Sequence, residues 1–244
     1  MRSEGCGGLP ARQLRSDPAL RLSAAVFFGT FLICGLLAAG QPGFARRVLG
    51  NAAIEQIEEM YSRPISEARK DGGGDAAMAG FYIQHNTTIG LQCFAYGLLL
   101  GLGSLYELVS NGLLLGTMFG HMATTPYAVN FYTFVTGHAT FELSAIVFSG
   151  AAGLRLGYGL IDTQGQTRIG SLRREARHAL PMVGAAVVLF ALAAFIEGFV
   201  SPSPLPYVYK AAVAIGCAML MTAYLALGGR DPGRQTEARG PVVP

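Results

Sequence analysis

The chain has 244 residues, 51% of them hydrophobic and 14% charged, with a formal net charge of +3. An ordinary soluble domain carries roughly 25% charged residues, so this composition excludes an ordinary soluble enzyme and a disordered chain, and four dispersed cysteines without a CxxC pair exclude a disulfide scaffold and a thiolate zinc site. No basic stretch carries interleaved aromatics, so nucleic acid is not an expected partner; what is left is a membrane protein.

Residues 1–20 read as a basic leader, followed at 21–40 by the first apolar run, RLSAAVFFGTFLICGLLAAG. About 20 such residues cross the hydrocarbon of a bilayer. The run exceeds the roughly 7 to 15 residues of a signal-peptide core, so it is expected to stay as a membrane helix. Residues 41–80 form an amphipathic loop. Within it, FARRVLGNAAIEQIEEMYSRP places Leu49, Ala53, Ile57, Met60 and Tyr61 on one helical face and Glu55, Glu58 and Glu59 away from it, with Pro64 as a stop. KDGGGD at 70–75 reads as a hinge. Further apolar runs follow at about 81–107, 109–125, 131–158, 180–200 and 207–228, separated by NG, TTPY, an Arg-rich loop and SPSPLP. The fold class is therefore all-α, a polytopic bundle of about six transmembrane helices forming one domain over 21–228, with a tail at 229–244. A count of five with a re-entrant third segment is the alternative, because that segment is short and the second opens with polar residues.

Positive side chains resist translocation. With the amino terminus inside, the inner segments collect Arg2, Arg12, Arg15, Arg21, Arg168, Arg173, Arg174, Arg177, Arg230, Arg234 and Arg239, while the outer ones hold Arg46, Arg47, Arg63, Arg69, Lys70 and Lys210. Both termini are thus expected in the cytoplasm and 41–80 outside. Arg155, near the inner end of the fourth span, is expected to snorkel to the headgroups without a functional role. Cys34, Cys93 and Cys217 sit within apolar runs as small core residues.

Small residues at a spacing of four let helix backbones approach in lipid. Gly112, Gly116 and Gly120, Gly97 and Gly101, and Gly153 and Gly157 have that spacing. They are expected to serve close packing within the bundle, with a homodimer seam or a glycine-lined pore as alternatives. Ionisable groups inside the spans are His85, Glu107, His121, His138, Glu142 and Glu197, and such groups are costly in a bilayer unless paired or hydrated. His138 and Glu142 stand four apart and share a face. With His85 and His121 placed at similar depth, three histidines and a carboxylate converge, joined by the amides of Asn86 and Asn111. Such a set is a buried polar network, a proton or ion pathway, or a metal site with His85, His121, His138 and Glu142 as ligands. HExxH, GxSxG and paired-carboxylate motifs are missing, so no catalytic residue and no cofactor is expected.

The stretch FYIQHNTTIGLQCFAYGLLLGLGSLYELVSNGLLLG followed by FVTGHATFELSAIVFSGAAGLRLGYGLI closely resembles the integral membrane family of stage II sporulation protein M. The resemblance is carried by His85 and Asn86, by Asn111 and Gly112, and by His138 and Glu142, with GHATFE in place of the commoner HG form. It covers about residues 20–230 in organisation and is specific over 81–161. It implies a membrane anchor: in spore formers the namesake anchors peptidoglycan-degrading partners during engulfment, and relatives in non-sporulating bacteria sit near genes for a MoxR-type ATPase and RDD-type membrane proteins. The expected function is a non-enzymatic, multi-pass protein of the bacterial inner membrane, in contact with lipid, that positions envelope partners. The alternative is a transporter or channel built on the polar set.

Overall fold

The computed structural model describes residue 14, residues 16–68 and residues 75–227. The leader up to 13, the tail at 229–244 and all but the last residue of the KDGGGD hinge lie outside the described residues. Helix α1 spans Pro18–Gly40. Asp17 caps it by accepting the Ala19 N–H at 2.9 Å, and Pro18 fills the first position, where a missing N–H costs nothing.

The amphipathic stretch is two helices, α2 (Phe44–Leu49) and α3 (Asn51–Met60), followed by a single turn, α4 (Ile65–Ala68). They are separated because Gly50 takes φ 83°, a conformation that favours glycine. The buried face matches the expected one at Tyr61, with Leu49 and Ile57 packed beside buried clusters, and differs at Ile54 and Met60. Ile54 is fully enclosed and Tyr61 is buried, whereas Met60 is half exposed. Tyr61 stacks edge-on against Phe131 with ring centroids 5.1 Å apart, so this segment packs on the protein's own bundle.

Helix α5 spans Asp75–Ala95 and α6 spans Leu102–Met122. The break between them is the tight turn Tyr96–Leu98 with Leu100 and Gly101 at φ 55° and 81°, not the NG dipeptide at 111–112. Asn111 instead folds back to donate to the Glu107 carbonyl at 2.8 Å in mid-helix. Helix α7 runs from Ala128 to Ile161 and α8 from Arg168 to Phe195, ending in the π-helical turn Ile196–Val200; α9 spans Tyr207–Leu227. The Arg-rich segment expected as a loop up to 179 is the first part of α8, because Thr167 caps it by accepting the Gly170 N–H at 3.1 Å. There is no strand among the described residues.

Among the described residues, four helices are long and apolar enough to cross a membrane: α1, α7, α8 with its π-turn, and α9. The α5 and α6 helices are not among them. Gln84 to Thr88 in α5 and Glu107, Ser110 and Asn111 in α6 dilute their apolar character. The glycines set the packing. A methyl added at Gly112, Gly116 or Gly120 of α6 would collide with the backbone at Phe27, Phe31 or Gly35 of α1, so these two helices run parallel and in close contact. Gly97 and Gly101 meet Gly153 and Gly157 in the same way, which brings the end of α5 against α7. Helices α7 and α8 are antiparallel, with Gly137 beside Ile196 at one end and Gly159 beside Glu175 at the other. The middle of α7, Ala145 to Gly153, is buried throughout and forms the axis of the core.

Candidate functional site

Helix α7 carries His138 and Glu142 one turn apart. His138 is 3% exposed, and its Nδ1 lies 2.9 Å from Ser201 Oγ while its Nε2 lies 3.7 Å from Glu142 Oε2. The first is a hydrogen bond and the second an ion-pair distance beyond hydrogen-bond reach. A neutral imidazole donates from one nitrogen and accepts at the other; when the Ser201 hydroxyl donates to Nδ1, Nε2 carries the proton toward Glu142.

Ser201 is placed by the π-turn, whose wider winding is closed by the bond from the Ser201 N–H to the Ile196 carbonyl at 2.8 Å. Single π-turns inside helices occur preferentially at functional sites. This one also carries Glu197, which interacts with the Asn86 amide of α5 and lies within electrostatic range of Glu142. The Asn86 contact stops short of full hydrogen-bond geometry at Asn86 Nδ2 and Glu197 Oε2, both of which are buried. Three helices thus contribute one cluster: Asn86 from α5, His138 and Glu142 from α7, and Glu197 and Ser201 from the end of α8.

The expected set is only partly assembled here. His85 is exposed on the outward face of α5, beside Gln84, Thr88 and Gln92, about 100° around the helix from Asn86. His121 is turned to the other segment and pairs with Glu58 of α3 at 2.7 Å. Asn111 is engaged with Glu107 of its own helix, at 2.8 Å to the carbonyl and 3.3 Å to Oε2. The three-histidine convergence is therefore not formed, and no group of three His, Cys, Asp or Glu capable of holding a metal occurs among the described residues. Ser201 was invisible in the sequence as a partner. Glu197 was visible as an ionisable residue in an apolar run, the signal by which it could have been joined to His138 and Glu142.

A second polar cluster occupies the opposite end of α7, at Arg155. Its guanidinium donates to Asp17 Oδ2 from Nε at 2.9 Å and from Nη2 at 2.5 Å, and from Nη1 to Glu175 Oε2 at 2.9 Å. Arg174 donates to the other oxygen of Glu175 at 3.2 Å. The two carboxylates are 6% exposed, so Arg155 is not a snorkelling side chain but the link between α1, α7 and α8.

Between the clusters the bundle is close-packed. Cys93, Leu108, Ala145, Ala151 and Ala152 are fully enclosed. The hydroxyls in this layer at Ser23 and Ser104 are used on the carbonyls of Val147 and Cys93, at 2.7 and 2.5 Å.

Residues 24–202 match the family model described as Stage II sporulation protein M, a span that holds every residue of the first cluster. No curated protein and no solved structure matches the chain.

Proposed function

Because the chain belongs to the stage II sporulation protein M family, and its helices are those of a membrane protein, we propose that it is a non-enzymatic scaffold of the bacterial inner membrane. It crosses the bilayer six times as one domain over 21–228, keeps its leader, residues 162–179 and its tail in the cytoplasm, presents 41–80 outside, and positions envelope partners engaged in peptidoglycan remodelling. The arginine asymmetry supports this orientation. The parallel pairing of α1 with α6 and of α5 with α7 supports the count of six, since helices two crossings apart must point the same way.

The observation that carries scaffolding over transport is the close-packed layer between the two clusters. Glu142 and Arg155 are separated by about 20 Å along α7, and between them that helix carries only the hydroxyls of Ser144 and Ser149 among apolar residues packed against neighbouring helices. An ion crossing there would meet the full desolvation cost of apolar packing.

The test is flux in liposomes together with thermal stability. Wild type, Glu142→Gln and Glu142→Ala are all expected to show no proton or cation flux above protein-free vesicles. Stability should stay near wild type in Glu142→Gln, whose amide is isosteric and remains polar beside His138, and fall by about 1–3 kcal/mol in Glu142→Ala, which leaves its buried polar neighbours without a partner. Flux in the wild type that disappears in a folded Glu142→Gln variant would replace scaffolding by transport. Cysteines introduced at 60 and 169 in a Cys6→Ser background check the orientation: both side chains are exposed, and the first should label in intact cells, the second after lysis.

A further inference from the structure

The segment between the π-turn and α9, SPSPLP at 201–206, folds over the side chain of Lys210. Lys210 is 3% exposed, and its Nζ donates to the carbonyls of Ser201 at 2.6 Å and Ser203 at 2.9 Å. No Asp or Glu among the described residues pairs with it. Taking an ammonium out of water is expensive unless it gains a counter-charge. Two carbonyls hold the nitrogen in place but bring no net negative charge, and they use two of its three donors.

Lys210 lines a pocket of about 200 Å³ that also presents the hydroxyls of Ser66 and Thr133 and the amide of Asn130, while the Ser203 hydroxyl at its edge donates to the Val200 carbonyl at 2.5 Å. Asn130 is fixed by donating to the Tyr61 carbonyl at 2.9 Å. The pocket therefore combines one uncompensated positive charge with several neutral donors, brought together from α4, α7 and α9. Donors arrayed in this way suit a tetrahedral anion with several acceptor oxygens better than a planar carboxylate. Its level is marked by Tyr207 and Tyr209, both substantially exposed in the first turn of an apolar helix. Exposed tyrosines at the end of such a helix lie at the membrane–water interface, where the abundant tetrahedral anion is the phosphate of the lipid headgroups.

We propose that this pocket binds the phosphate of a phospholipid headgroup, with Lys210 as the counter-charge and Ser66 and Thr133 as hydrogen-bond donors. The site lies outside the residues that match the family model at Lys210 itself, and the proposal is independent of the scaffolding role.

The experiment uses the full chain, purified and delipidated in a non-ionic maltoside detergent. It is titrated with phosphatidylglycerol and separately with inorganic phosphate, following the thermal midpoint and bound lipid by native mass spectrometry. Phosphatidylglycerol should raise the midpoint saturably. Lys210→Gln should weaken its apparent Kd about tenfold or more, as expected for loss of a charge-assisted hydrogen bond. Lys210→Arg should retain most of the affinity. Ser66→Ala and Thr133→Val, which leave the Lys210 carbonyl bonds untouched, should keep the lipid-free midpoint and weaken lipid binding several-fold, and they decide the matter if Lys210→Gln does not fold. Unchanged lipid affinity in Thr133→Val and in a folded Lys210→Gln overturns the site. Saturable stabilisation by inorganic phosphate equal to that by the lipid overturns the lipid as the source while retaining the phosphate chemistry.

Discussion

Replacing Gly116 by alanine adds one methyl group at the tightest part of the α1–α6 contact. That carbon would stand 2.8 Å from the Cα and carbonyl carbon of Phe31 and closer still to its oxygen. Carbon atoms in contact prefer about 3.5 Å or more and a carbon against a carbonyl oxygen about 3.3 Å, so the oxygen sets the requirement and the helices must separate by about 1 Å. The obstructing atoms are backbone and have no rotamer by which to withdraw. Separation would also loosen the neighbouring contacts of Gly112 with Phe27 and of Gly120 with Gly35. Overpacking of this kind costs about 1–3 kcal/mol, and the upper end applies to a backbone obstacle. The better helix propensity of alanine returns up to about 1 kcal/mol, for a net loss of about 2 kcal/mol. In a domain of this size that lowers the thermal midpoint by about 4–8 °C. Gly184 of α8 is the internal control. It is exposed, and nothing lies within 4 Å of a methyl built there, so Gly184→Ala should gain up to about 1 kcal/mol from propensity alone. The assay is unfolding in detergent, scanned side by side for both variants, with Gly116→Leu expected not to fold at all. Equal shifts in the same direction for Gly116→Ala and Gly184→Ala would refute the close approach of α1 to α6.

Two other expectations concern the end of the bundle at Arg155. Arg155→Met leaves Asp17 and Glu175 buried without their shared partner, and breaking a buried pair costs about 3–5 kcal/mol; with Arg155 22% exposed the lower end applies. Asp17→Asn in the same background should then cost little more, and strictly additive losses in the double variant would show that the two side chains do not interact. Asp162, just beyond α7, has its carboxyl held below the ordinary value of 3.8, first by the Tyr158 hydroxyl donating at 2.7 Å and then by the Gln164 N–H at 3.1 Å. A depressed carboxyl contributes stability that is complete above the pKa of the unfolded chain and is lost as pH falls through the folded value. Tyr158→Phe should therefore destabilise at pH 7, with the deficit shrinking below about pH 4; a deficit independent of pH would refute the hydrogen bond's role.

The helical class and the family were legible because both depend on long apolar runs and on local residue pairs, which a single sequence displays directly. Boundaries were less legible wherever a residue had two physical uses. The NG at 111–112 is a common turn signal, yet here Gly112 serves contact with Phe27 and Asn111 bonds within its helix. The true break used the glycine at 101, ten residues earlier, within the apolar run LLLGLG. The Arg-rich stretch at 168–177 reads as a loop by charge alone, but Thr167 before it is a helix N-cap. In the 41–61 stretch the face was set by a continuous helix, and the positive φ at Gly50 rotates everything after it, which is how Ile54 replaces Met60 in the interior.

The site shows the same limit one level up. Depth along a helix can be counted from sequence, and His85, His121 and His138 were grouped by depth. Which way each points depends on rotation about the helix axis, and that is set by packing. His85 and Asn86 are adjacent in sequence, yet one is exposed and the other enclosed beside Glu197. The extra residue in the π-turn at 196–200 brings Ser201 to His138, and no local pattern announced it. Arg155 finds Asp17 across 138 residues of chain. Together the two clusters tie both ends of α7 to its neighbours: the 138–142 end to α5 and the close of α8, the 155 end to α1 and the start of α8. At 34 residues, about 50 Å of helix, α7 is longer than the roughly 30 Å hydrocarbon core, which lets polar groups sit near both of its ends. Beside Arg155 it is pinned further by close backbone contacts at Gly153 and Gly157. The two clusters thus fasten α7 to its neighbours at both ends, with a close-packed stretch between them.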